Sequence, residues 1–133
     1  MRLYLDSCCI IYAIEGVPQF REPVLERIAK VEASADGVLL TSRLSRLECR
    51  VKPLKDGNAD LLSIYDSFFD RRPLVLAEIL SGVIERATAL RVAHGFKTPD
   101  AIHLATAIEE QADIFLTGDA ALSRCKDLRV EVL

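Results

Sequence analysis

The chain has 133 residues, and its 50% hydrophobic and 28% charged residues indicate one folded globular domain over 1–133 rather than a disordered chain. Its formal net charge of -3 excludes a general electrostatic attraction to nucleic acid, so such binding would need a local basic patch or metal ions. The N-terminal residues reach Asp6 too soon for a signal peptide, and no apolar run is long enough to span a membrane. We therefore expect a cytoplasmic protein with no membrane partner.

Short β-prone runs alternate with amphipathic helical patterns along the chain. The first half predicts a strand at 3–5, helices at 7–14 and 21–35, a strand at 38–41, a helix that Ser42 caps and Pro53 ends, and a helix at 60–69. The second half predicts a strand at 73–76, a helix at 78–93, a helix opening at Thr98, a strand at 114–117, a short helix at 120–124 and a strand at 129–132. This alternation predicts the α/β class, with an α/β/α sandwich around a short-stranded, mainly parallel central sheet.

The segment from Thr98 to Ala107 predicts the start of a buried helix. Thr98 suits the N-cap and Pro99 the first helical position, which places Asp100 in the first turn. Helical spacing puts Asp100 at the edge of an apolar stripe, where its carboxylate is partly withdrawn from water. His103 falls away from that stripe, which favours a surface or packing role over metal ligation. An acid in the first turn also complements the helix dipole, so a function for Asp100 depends on the other acids.

Four acids lie where a strand ends or where the apolar stripe of a helix meets its polar side. Asp6 follows the first strand and Asp119 follows the strand at 114–117, and ligands of parallel sheets collect at these carboxyl ends. Glu48 and Asp100 lie on helices at the margins of apolar stripes. We therefore expect these four carboxylates to border one cleft.

Several carboxylates in a half-desolvated cleft raise one another's pKa, and a divalent cation removes that cost. An oxygen-only donor set without histidine or cysteine suits Mg²⁺ or Mn²⁺. The chemistry indicated is phosphodiester hydrolysis, in which a bound metal lowers the pKa of a water and stabilises charge on the leaving oxygen. One ion and two ions are equally compatible with the pattern.

The helix that carries Glu48 has an apolar stripe that we expect to face the core. The stripe consists of Leu44, Leu47 and Val51. Across it from Glu48 lies a line of three arginines, which are Arg43, Arg46 and Arg50. These arginines are candidates for contacts with phosphates or with the carboxylates of a protein partner, and a solvated face is the alternative.

Four segments in order, covering essentially the whole chain, resemble a PIN domain of the VapC toxin type. They are Leu5-Asp6-Ser7 leading to Ile10-Ile11-Tyr12, Ser45-Arg46-Leu47-Glu48-Cys49 followed by Val51-Lys52-Pro53-Leu54, Thr98-Pro99-Asp100-Ala101-Ile102-His103-Leu104-Ala105, and Leu116-Thr117-Gly118-Asp119.

The resemblance implies a sandwich built on a parallel sheet and an Mg²⁺- or Mn²⁺-dependent endoribonuclease that acts on cellular RNA. It also implies homodimerisation and a type II toxin–antitoxin pair, in which a small antitoxin places a C-terminal segment in the cleft. Carried over by position, the resemblance makes Asp6, Glu48, Asp100 and Asp119 the catalytic and metal-binding acids, with Ser7 and Thr117 as supporting hydroxyls. The arginines at 43, 46 and 50 become candidate contacts for RNA or antitoxin.

Two other function classes compete with this interpretation. Asp6 at a strand end could be the nucleophile of an aspartyl-phosphate phosphatase or a receiver-like domain, but no Asp follows two residues later and Lys126 is not at a strand end. A PIN-like binding module without catalysis is the second alternative. The presence of all four acids argues against it.

Overall fold

Five strands and six helices form the structure, a computed structural model that describes all residues 1–133. The strands are β1 (Arg2–Leu5), β2 (Val38–Ser42), β3 (Leu74–Ala77), β4 (Ile114–Thr117) and β5 (Arg129–Val132). The helices are α1 (Ser7–Glu15), α2 (Pro18–Glu32), α3 (Arg43–Lys55), α4 (Ala59–Asp70), α5 (Ser81–His94) and α6 (Thr98–Glu109), and a short 3₁₀ helix spans Ala120–Arg124. None of these helices is both long enough and apolar enough to cross a membrane.

All five strands are parallel and lie in the order β3-β2-β1-β4-β5. In the centre of the sheet, Leu3 of β1 pairs with Leu39 of β2 on one side and with Ile114 of β4 on the other. The predicted α/β sandwich is confirmed, with a sheet that is wholly rather than mainly parallel. As a result, the carboxyl ends of all five strands lie along one edge of the sheet, where the loops converge.

The central strands bury both faces, because successive side chains of a strand point to opposite sides. Leu3 and Leu5 of β1 belong to a core that includes residues of α1, α2, α3 and α4. Tyr4, between them, belongs to a second core with Phe115 of β4, Leu104 of α6 and residues of α5. Four helices therefore cover one face of the sheet, while α5, α6 and the 3₁₀ helix cover the other.

Several predicted helix ends differ from the observed ones. The second helix begins at Pro18 rather than at residue 21, and Pro53 lies inside α3, which continues to Lys55. The N-cap of α6 is Lys97, and no side chain caps its first turn. The prediction that Thr98 caps this helix is therefore wrong, and Thr98 is the exposed first residue of α6.

The predicted orientation of α3 is also wrong. Leu47 and Val51 are 58% and 53% exposed, whereas Ser45 and Cys49 are buried. The hydroxyl of Ser45 lies 2.7 Å from that of Thr41 on β2, and a small side chain at this position lets the helix pack closely on the strand. The larger apolar side chains of α3 consequently point to solvent.

Candidate functional site

Asp6 lies at the carboxyl end of β1 and begins α1 as its N-cap. Its Oδ1 accepts a hydrogen bond from the backbone N–H of Ser7 at 2.8 Å, and its Oδ2 accepts one from the Thr117 hydroxyl at 2.7 Å. The backbone N–H of Asp6 also donates to the carbonyl of Leu116 on β4 at 3.0 Å. The buried carboxylate is thus oriented by two neighbouring strands and one helix.

Thr117 connects Asp6 to a second acid at the end of β4. While its hydroxyl donates to Asp6, the same oxygen accepts from the backbone N–H of Asp119 at 3.1 Å. Asp119 in turn caps the 3₁₀ helix, since its Oδ1 accepts from the backbone N–H of Ala121 at 2.9 Å. Its Oδ2 has no hydrogen bond within the chain and is free to bind a ligand.

Glu48 reaches the same edge of the sheet from α3. Its Oε1 accepts a hydrogen bond from the Ser7 hydroxyl at 3.2 Å and lies 2.5 Å from Nε2 of His103, whereas its Oε2 has no hydrogen bond. Burial raises the pKa of the Glu48 carboxyl, but the hydrogen bonds from His103 and Ser7 outweigh burial and hold the pKa below its usual value. Glu48 is therefore a carboxylate with one oxygen bound and one free.

Asp100 lies in the first turn of α6, and its carboxylate makes no hydrogen bond within the chain. Burial raises the pKa of its carboxyl, and the charges of Asp6, Asp119 and Glu48 raise it further, although His103 acts in the opposite direction. Nε2 of His103, one turn after Asp100 on α6, lies 2.5 Å from Glu48 and 3.9 Å from Asp6. Asp6 is in turn joined to Asp119 through Thr117, so the four acids share one cleft at the carboxyl edge of the sheet. The structure thus brings together the four acids that the sequence singled out.

The Asp100→Asn variant is expected to melt a few degrees above the wild-type protein at pH 7 without metal. A carboxyl with a raised pKa binds its proton more tightly in the folded state, so its contribution to stability is favourable at low pH. That contribution is lost as the pH rises from the ordinary value of 3.8 through the raised pKa. The amide carries no charge to repel its neighbours, so the variant escapes this loss.

Thermal denaturation in EDTA at several pH values measures this difference. The difference in melting temperature between the variant and the wild type should become smaller as the pH falls through the range in which carboxyl groups titrate. Glu22→Gln, which changes an exposed acid on α2, is the control and should leave the melting temperature unchanged. An Asp100→Asn protein that melts at or below the wild-type temperature at pH 7 would contradict the expectation.

No group of three or more His, Cys, Asp or Glu side chains is placed, as it stands, to hold a metal ion. The donor chemistry nevertheless fits a hard divalent cation, because Glu48 Oε2, Asp119 Oδ2 and both oxygens of Asp100 make no hydrogen bond. Mg²⁺ usually keeps several waters and binds through one or two carboxylates, so it does not need every acid in direct contact. The uncompensated repulsion at Asp100 is the second feature that a cation would relieve.

The structure decides between the two roles that the sequence left open for His103. The residue is 1% exposed, its Nε2 faces Glu48, and its Nδ1 lies 2.7 Å from the hydroxyl of Tyr4. Of the surface and packing roles expected for it, packing is the one observed, because α6 is buried on most sides. Its contact with Glu48 was not expected. The contact between His103 and Glu48 could have been inferred from the spacing along α6. Residues three apart lie on the same side of a helix, so His103 faces the cleft to which Asp100 was assigned.

The three arginines of α3 lie on its outer side, apart from the four acids. Arg43 pairs with Glu78 at 2.8 Å, while Arg46 and Arg50 approach Asp66 at 3.7 and 2.7 Å. A shallow groove there is lined by these arginines and by apolar side chains, which are Leu47, Val51 and Leu54. A role for the arginines in binding RNA or an antitoxin stays a prediction.

Comparison with known proteins gives a family and a set of similar folds. VapBC2 of Rickettsia felis, solved with a DNA fragment from its promoter, has a TM-score of 0.78 and 20% identity and covers 99% of this chain and 98% of its own. VapC20 of Mycobacterium tuberculosis, described as a toxin that cleaves the sarcin-ricin loop, has a TM-score of 0.72 and 13% identity and covers 96% and 98%. FitAcB of Neisseria gonorrhoeae has a TM-score of 0.71 and 18% identity and covers 96% and 95%.

Among curated proteins, no match to the sequence was found. The model of the PIN domain family, in contrast, matches residues 3–128. That match spans nearly the whole chain, from β1 to the residue before β5, and includes all four acids of the cleft. The chain therefore belongs to the PIN domain family.

Proposed function

We propose that the protein is an Mg²⁺- or Mn²⁺-dependent endoribonuclease, a hydrolase of RNA phosphodiester bonds. The observation that carries the proposal is the convergence of Asp6, Glu48, Asp100 and Asp119 in one cleft of a PIN-family chain. RNA as the substrate is supported by the similarity in fold to VapC20, a toxin described as cleaving the sarcin-ricin loop. The four acids are the proposed catalytic and metal-binding residues.

The side chains around the acids determine which oxygens face the cleft. Thr117 and the backbone of Ser7 orient Asp6, and the Ser7 hydroxyl helps to orient Glu48. Bound Mg²⁺ or Mn²⁺ would supply a water of lowered pKa and neutralise charge on the scissile phosphate. The chain itself contributes the negative cleft that holds the ion and the hydrogen bonds that keep its carboxylates in place.

We further propose that the protein is the toxin of a type II toxin–antitoxin pair. Structures with a similar fold include VapBC2 and FitAcB, and a toxin–antitoxin complex from Klebsiella pneumoniae with a TM-score of 0.71 and 21% identity. A groove of about 680 Å³ between α1, α2 and α4 suits a small protein partner. Its apolar lining consists of Ala13, Ile14, Leu25, Ile64, Phe68 and Pro73, with Arg71 and Arg72 among its polar residues.

A homodimer is part of the same proposal. The outward face of α3 exposes Leu47, Val51 and Leu54 to solvent, and their exposed fractions range from 53% to 58%. Monomeric proteins seldom expose neighbouring large apolar side chains without a partner. This face is therefore the surface that we assign to self-association.

Family membership also weighs on the competing interpretations. It favours the nuclease over an aspartyl-phosphate phosphatase or receiver-like domain. The retention of all four acids favours catalysis over a PIN-like binding module that has lost it. An assay for RNA cleavage distinguishes the nuclease from the binding module.

Purified protein without any partner is expected to cleave RNA when Mg²⁺ or Mn²⁺ is present and to be inactive in EDTA. Ribosomal and transfer RNA serve as substrates, and the products are separated on denaturing gels. Excess Mn²⁺ added after EDTA should restore cleavage, which controls for loss of folded protein. Cleavage that survives chelation would overturn the metal dependence, and folded protein that cleaves no RNA with either ion would favour the binding module.

A further inference from the structure

A buried hydrogen-bonded path runs from the core of the sheet to the cleft. The hydroxyl of Tyr4 on β1 lies 2.7 Å from Nδ1 of His103 on α6, and Nε2 of His103 lies 2.5 Å from Oε1 of Glu48 on α3. Tyr4 is fully buried and His103 is 1% exposed. The path therefore joins three elements, two of which cover opposite faces of the sheet.

The chemistry of the three groups gives this path a direction. The Glu48 carboxylate only accepts hydrogen bonds, so Nε2 of His103 carries the proton that lies between them. The Tyr4 hydroxyl can either donate to Nδ1 or accept from it, and in both arrangements Nε2 keeps its proton directed toward Glu48. Tyr4 thus holds the ring of His103 in the orientation that points Nε2–H at Glu48.

The second consequence concerns the two oxygens of Glu48. Both donors, the ring of His103 and the hydroxyl of Ser7, converge on Oε1. Oε2 receives neither, so it stays available at the cleft. A flexible glutamate side chain would otherwise have to lose its rotamer freedom each time that it bound a ligand.

We propose that His103, oriented by Tyr4, is a positioning residue that binds Oε1 of Glu48 and thereby presents Oε2 to a divalent cation. The proposal rests on the proposed function, because it assigns Glu48 to the metal. It assigns no contact between His103 and the ion. Residues that orient metal ligands in this way contribute about 10–100-fold to metal affinity.

The test is Mn²⁺ affinity, measured by isothermal titration calorimetry without RNA. His103→Leu replaces the imidazole with an apolar side chain of comparable size and so removes the Nε2 donor. The variant should bind Mn²⁺ about 10–100-fold more weakly. His103→Gln can donate from its amide nitrogen to Glu48 and should recover most of the affinity. Tyr4→Phe keeps His103 but removes the hydroxyl that orients it. Its loss of Mn²⁺ affinity should therefore be smaller than that of His103→Leu.

Thr106→Val is the matched control for packing in α6. Thr106 is as buried as His103, and its hydroxyl bonds only to the carbonyl of Ile102 in the same helix at 2.7 Å. The control variant should bind Mn²⁺ like the wild type. If His103→Leu fails to fold, the Mn²⁺ affinities of Tyr4→Phe and Thr106→Val are compared instead. Equal Mn²⁺ affinities of these two variants would overturn the proposal.

A double-mutant cycle separates positioning from a general structural effect. If His103 acts through Glu48, His103→Leu should weaken Mn²⁺ binding in the wild-type background and have no further effect in Glu48→Gln. Additive losses would overturn the proposal, as would a His103→Leu protein with wild-type affinity. Wild-type protein that binds Mn²⁺ but cleaves no RNA would overturn the proposed function alone, whereas protein that binds no Mn²⁺ would overturn both.

Discussion

Asp6→Asn is expected to reduce RNA cleavage by at least about 100-fold while the protein stays folded. Substitutions around metal ligands cost about 10–100-fold, and loss of a ligand's charge should cost no less. The amide keeps an oxygen that can accept from the backbone of Ser7, so the cap of α1 is retained. The change therefore removes negative charge from the cleft and leaves the start of α1 intact.

Initial rates of RNA cleavage at saturating Mg²⁺ measure the effect, and circular dichroism monitors the fold. Asp70→Asn, at the exposed end of α4, is the matched control and should cleave at the wild-type rate. An Asp6→Asn protein with more than a tenth of the wild-type rate would remove Asp6 from the catalytic set.

Phe115→Ala is expected to lower the free energy of unfolding by about 3–5 kcal/mol. Phe115 is fully buried on β4, and its ring stacks on that of Tyr4 with centroids 5.1 Å apart and an angle of 9° between the planes. Removing it leaves a cavity between the sheet and α6 and also takes away the packing that supports Tyr4. A loss of cleavage should accompany the loss of stability.

Urea denaturation followed by circular dichroism measures the change in free energy. Val75→Ala on the edge strand β3 is the control, since Val75 is 41% exposed and surface substitutions usually change stability by less than about 0.5 kcal/mol. A loss of less than about 1 kcal/mol for Phe115→Ala would contradict the buried stacking described here.

The features that depend on short-range sequence pattern were the ones that could be predicted. Strand runs that end in acids located Asp6 and Asp119, because a parallel sheet brings the carboxyl ends of its strands to one edge. The Ser42 cap of α3 was also predictable, and its hydroxyl accepts from the backbone of Leu44 at 3.0 Å. Alternation of strands and helices was enough to give the sandwich.

The features that depend on close packing between elements could not be predicted. A helical wheel assumes that the largest apolar residues face inward, whereas α3 buries Ser45 and Cys49 and exposes Leu47. For His103 the helical wheel left a surface and a packing role open, and the residue is buried because α6 has little solvent face on which a polar residue could lie. In both cases the size and polarity of the neighbouring element decide which side is buried.

The position of β1 has a consequence for the synthesis of the protein. β1 is the first strand of the chain but lies in the centre of the sheet, and Oδ2 of Asp6 accepts its hydrogen bond from Thr117, which lies 111 positions later in the chain. A nascent chain that leaves the ribosome N-terminus first holds Asp6 without Thr117 or Asp119 until β4 and the residues after it emerge. The cleft is therefore assembled only after Asp119 has been synthesised, so a chain that has not been extended that far carries no complete set of acids.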